Sequence, residues 1–79
     1  MKSKSVKKQY NKLSLEANNE LKNVIRDIKI YNQIIDEDVI RIESNYLTHK
    51  LENKNIGKKE INVAIDKLYK YFGYKREDM

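Results

Sequence analysis

A chain of 79 residues that is 37% charged and 39% hydrophobic has room for one domain with a modest core, which oligomerisation or a covalent staple would have to supplement. Cysteine is absent, so disulfides and thiolate metal sites are excluded, and a reducing cytoplasmic location is the expectation. No apolar run approaches the length of a membrane span or a signal-peptide core, so no membrane partner is expected.

The excess charge has an address. Residues 1–12 contain Lys2, Lys4, Lys7, Lys8 and Lys12 and no acid, a formal +5 that equals the net charge of the whole chain. With Ser3, Ser5 and Gln9 between the lysines and little apolar besides Val6, residues 1–11 read as a flexible basic arm. Such an arm gains affinity for phosphates by counterion release, which makes Lys2, Lys4, Lys7 and Lys8 candidate DNA phosphate contacts.

A strand-helix-helix core is predicted over residues 12–51. In residues 12–16 the polar Lys12, Ser14 and Glu16 alternate with Leu13 and Leu15, the period of a strand with one dry face. From Leu21 the residues Val24, Ile25, Ile28 and Tyr31 recur at helical spacing and form a stripe. After the break at Asn32 and Gln33, Asp36 is an N-cap residue ahead of acidic Glu37 and Asp38. A second stripe then runs through Ile35, Val39, Ile42 and Tyr46, with Ile40, Leu47 and Leu51 on a neighbouring face. That helix is apolar over more of its circumference than one packing partner needs. A homodimer is therefore predicted, with Leu13, Leu15, Val39, Ile42 and Tyr46 as its core.

Strand, helix, turn and helix behind a basic arm resembles the ribbon-helix-helix family of small DNA-binding proteins, most specifically in Leu13-Ser14-Leu15 leading into Glu16-Ala17-Asn18-Asn19-Glu20-Leu21. The resemblance covers about half of the chain. It implies a dimer whose paired strands enter the major groove of double-stranded DNA, with the outward residues Tyr10, Lys12 and Ser14 at base edges. Transcriptional or replication control is the function it implies. Two features depart from the family: the acidic start of the second helix, which repels the phosphate usually held there, and a loop without glycine. A competing frame places the strand at residues 39–43 and the two helices at 44–55 and from Gly57 onward.

Residues 52–57 form the clearest break, since asparagine and glycine favour helix-stop conformations. An additional C-terminal helix over residues 58–73 carries Ile61, Ala64, Ile65, Leu68, Tyr71 and Phe72 on one stripe, stopping at Gly73. Lys67 and Lys70 with Tyr69 and Tyr74 interleave basic and aromatic groups at its end, a composition that suits nucleic acid and equally suits the helix dipole. Lys22, Arg26 and Lys29 share a face opposite the first stripe.

Catalysis has no carrier. Neither glycine opens a phosphate-cradling loop, no serine has a convincing base and orienter, and His49 with Glu52 is only half of a metal site. No enzyme, cofactor or metal is expected. The fold class read from the sequence is mainly α, with a short N-terminal strand and two helices plus a C-terminal helix. The alternative is an all-α three-helix bundle, which would make the protein a protein-binding inhibitor, immunity or adaptor protein.

Overall fold

The computed structural model describes residues 13–76, and these form three α-helices with no strand among them. Helix α1 is Leu15–Tyr31, α2 is Glu37–Asn53 and α3 is Lys58–Tyr71. Each helix packs on the other two around one core, so the described residues form the all-α three-helix bundle.

The strand predicted over residues 12–16 is corrected at its last three residues, while Lys12 lies outside the described residues. Ser14 is the N-cap of α1, with its hydroxyl accepting the Ala17 amide at 3.3 Å, and Leu15 and Glu16 already lie in the helix. Two alternating leucines carry a strand only if a partner strand supplies the ladder. A serine cap followed by an acid in the first turn satisfies the helix locally and needs no partner. The gain is almost two turns, and Ala17 becomes the first fully buried residue of α1, one turn before Leu21. The Ser14 amide is itself bound, donating to the Glu60 carboxylate at the start of α3.

Asp36 caps α2 as its sequence predicts, accepting the Val39 amide at 3.0 Å. The core face of α2, however, is the neighbouring one. Ile40, Ser44, Leu47 and Leu51 are buried, Val39 and Ile35 pack at the margin, and Ile42 and Tyr46 point outward. The competing frame fails as well, because residues 39–43 are continuous helix.

Both downstream helix ends close in the same way. After α2, Asn55 adopts a positive φ of 63°, its amide bonds the Glu52 carbonyl, and the Ile56 amide reaches back to Leu51. After α3, Gly73 at φ 82° does the same, with Gly73 bonded to Lys70 and Tyr74 to Tyr69. These 5→2 and 6→1 bonds define Schellman caps, which satisfy carbonyls that the helix leaves open. Ile56 and Tyr74, the residues just beyond, fold back onto the core.

Helix α3 packs back through Ile61, Ile65 and Leu68, which are buried, and Phe72, which is half-buried. Tyr69 is buried with them, and Tyr71 stands outside at 54% exposure. The stripe thus closes through Tyr69 rather than Tyr71. Ile61, Ile65 and Tyr69 recur at intervals of four, and that spacing already places Tyr69 on the core face.

Candidate nucleic-acid interface

Two contacts fix how α1 and α3 lie side by side. At one end the Ser14 amide meets Glu60, and at the other Lys29 Nζ donates to the Tyr71 hydroxyl at 2.8 Å. Start meets start and end meets end, so the two helices run parallel. The Lys29 ammonium also sits 5.2 Å from the centre of the Tyr71 ring, within range of a cation–π attraction. Tyr71 is supported from behind by Phe72, whose ring packs edge-on at 5.0 Å.

That junction brings two basic rows onto one flank. On α1 the row is Lys22, Arg26 and Lys29, all exposed. On α3, Lys67 lies one turn before Tyr71 and shares its side, with Lys70 one turn from Lys67. Three carboxylates of α1 and α3 have partners of their own: Asp27 lies 3.7 Å from Arg26, Glu60 accepts the Ser14 amide, and Asp66 is bound by Arg76 at 2.9 Å. Lys22, Lys67 and Lys70 have no carboxylate partner among the described residues. Lys29 follows Lys22 by seven positions, about 10 Å of helix, long enough to reach more than one phosphate of a duplex strand.

The opposite side of the bundle has the reverse character. Helix α2 holds Glu37, Asp38, Glu43 and Glu52 against Arg41 and Lys50, whereas α3 holds four lysines against Glu60 and Asp66. A cleft of about 420 Å³, half polar and half apolar, lies between them, walled by Glu37, Arg41, Ser44, Ile65, Tyr69 and Arg76. Its cations are engaged within the fold: Arg41 pairs with Asp38 at 3.0 Å, and Arg76 forks onto Asn62 and Asp66. The cleft therefore offers a phosphate no unpaired cation, and the remaining charge on its wall is the Glu37 carboxylate.

The residues named from the sequence fall in different places. Tyr10, Lys12, Lys2, Lys4, Lys7 and Lys8 lie outside the described residues. Ser14 is occupied as the α1 cap. Leu13 packs against the core, whereas Leu15, Ile42 and Tyr46 are 76%, 61% and 50% exposed and Val39 is half-buried. Tyr69 and Tyr74 do not join Lys67 and Lys70 on the surface, because one is core and the other donates its hydroxyl to the Ile35 carbonyl at 3.1 Å. Tyr71 takes that place, and nothing in the local pattern marks it, since its exposure follows from the bundle ending beside it. His49 lies 3.6 Å from Glu52, both exposed, and no group of three metal-ligating side chains exists among the described residues. No helix of the described residues is long and apolar enough to cross a membrane. No family model, curated protein or solved structure matches the chain.

Proposed function

We propose that this protein binds duplex DNA through its phosphates, with the α1–α3 flank as the folded part of the interface and the basic N-terminal segment as its extension. The observation that carries the reading is the Lys29–Tyr71 contact, which joins the last residue of the α1 row of Lys22, Arg26 and Lys29 to the end of α3, where Lys67 and Lys70 lie within about one turn of Tyr71. Phosphate contacts supply affinity and register without reading sequence. The reading keeps DNA as partner and gives up Ser14 at a base edge, because its hydroxyl is held by the helix it caps.

The test is fluorescence anisotropy of unrelated DNA duplexes with the full chain at low and moderate salt. Affinity is expected to fall as salt rises, with a slope near 0.9 per phosphate neutralised. The triple variant Lys22→Gln/Lys29→Gln/Lys67→Gln should weaken binding to all duplexes alike and lower that slope by about 1 for each lost phosphate contact. An unchanged slope, or no binding even at low salt, would overturn the reading. A second reading, a helical inhibitor, immunity or adaptor protein, is favoured by the exposed apolar side chains Ile34, Ile42 and Tyr46 and would then take its place.

A further inference from the structure

The outer face of α2 combines features that a solvated face does not need. Asp38, Ile42, Tyr46 and Lys50 follow one another at intervals of four, and so form a single ridge running along the helix. The ridge has an acid at one end, a base at the other and two large apolar side chains between them. Ile42 and Tyr46 are exposed, while the core is built from the other side of the helix, through Ile40, Ser44, Leu47 and Leu51. Neither Ile42 nor Tyr46 therefore holds the bundle together.

We propose that this ridge is a self-complementary interface, on which a second copy of the chain packs α2 against α2, antiparallel, about a two-fold axis level with Ser44. In that arrangement residue i faces residue 88 minus i. Ile42 then meets the partner's Tyr46, Asp38 meets the partner's Lys50, and each contact occurs twice, as an isologous interface requires. A parallel pairing about the same ridge would set Asp38 on the partner's Asp38 and Lys50 on the partner's Lys50. Charge thus selects one orientation and disfavours the other. Interdigitated i±4 ridges are the commonest helix-packing class, so the geometry asks nothing unusual of the backbone.

Neighbouring side chains widen the patch. The ion pairs of Glu20 with Lys50 and Lys54, at 3.9 and 3.6 Å, set the start of α1 against the end of α2. Tyr31, at the other end of α1 and 78% exposed, consequently lies level with the Ile42 end of the ridge. Ile34, in the short connection to α2, is 76% exposed beside it. Asp38 now pairs with Arg41, and Lys50 lies near Glu20 and 5.7 Å from the Tyr46 ring. Arg41 and Asp38 are largely exposed and Lys50 is half-exposed, so these bonds are weak and can be exchanged. The dimer stands independently of the DNA reading, since the ridge and the α1–α3 flank lie on different sides of the bundle.

Sedimentation equilibrium of the full chain from micromolar to hundreds of micromolar tests the interface. The expected result is a monomer–dimer equilibrium that Ile42→Asp shifts toward monomer by on the order of a hundredfold, because the aspartate would be buried without a partner. Its far-ultraviolet circular dichroism should match the parent, which separates loss of the interface from loss of the fold. Asp38→Lys and Lys50→Asp should each weaken the dimer about tenfold, and the double exchange Asp38→Lys/Lys50→Asp should restore it. A parent chain that stays monomeric across the range overturns the proposal and leaves the face to a different protein. So does a dimer that Ile42→Asp leaves intact, or one that the double exchange fails to rescue.

Discussion

Helices α2 and α3 cross the same core, yet they distribute their apolar residues differently. In α3, Ile61, Ala64, Ile65, Leu68 and Tyr69 all turn inward, and its outward positions are mainly charged. In α2 the inward face is interrupted by Ser44, buried at 6% exposure with its hydroxyl donating to the Arg41 carbonyl at 2.8 Å, while Ile42 and Tyr46 face out. The difference teaches that amphipathicity has a single meaning only when a helix has a single apolar face. With one stripe, burial follows from the spacing. With two stripes 3.6-residue periodicity finds both, and the choice between them is made by the partners, here α1 and α3.

The comparison breaks most sharply at the core. Leu47 and Leu68 are fully buried in α2 and α3, so Leu47→Ala and Leu68→Ala should each cost about 2–5 kcal/mol, a large part of what a domain of this size has. Ile42→Ala, one and a half turns from Leu47 on the opposite side of α2, should change the stability of the monomer by less than about 0.5 kcal/mol. Urea unfolding at low protein concentration measures all three. A larger loss at Ile42 than at Leu47 would mean that α2 presents the other stripe to the core.

The same logic explains which parts could be read from the chain alone. The stretch Ile61 to Phe72, bounded by Gly57 and Gly73, has one stripe and two clear stops, and its helix and packing follow directly except that Tyr69 takes the buried place expected of Tyr71. The Asp36 cap and the break at Asn55 are local chemistry and are equally legible. The segment around Ser14 was not, because Leu13 and Leu15 carry a period-2 signal only two residues strong, against a capping serine whose benefit appears once Ala17 has a core to enter. The basic flank was half legible. Lys22, Arg26 and Lys29 form a row by spacing alone, but Tyr71 joins it only because α1 and α3 run parallel and end together.

Helix starts provide the next test. Ser14→Ala and Asp36→Ala each remove the oxygen that accepts an amide at the first turn, Ala17 in one case and Val39 in the other, and should each cost about 1 kcal/mol. Asp36→Asn should recover most of the loss, since asparagine caps as well as aspartate. Ser14→Val discriminates further: it favours a strand and disfavours the cap. Reduced helicity and stability would bear out the capped helix, and a gain of stability would reinstate an extended segment there.

The smallest effect separates charge from packing at the seam of α1 and α2. Glu20 is only 14% exposed, yet both of its partners, Lys50 and Lys54, reach it at the surface at 3.9 and 3.6 Å and are themselves 42% and 37% exposed. Long side chains held at such distances give up rotamer freedom for a pair that solvent still screens, so each interaction should amount to about 0.2–1 kcal/mol. A double-mutant cycle on Glu20→Gln and Lys54→Gln, run at low salt and again near 1 M, isolates that term. The coupling should shrink at high salt, where the Debye length falls to about 3 Å. A coupling that persists undiminished would mean that the Glu20 side chain contributes by filling the seam between the helices, and the lysines contribute through their aliphatic stems rather than their charge.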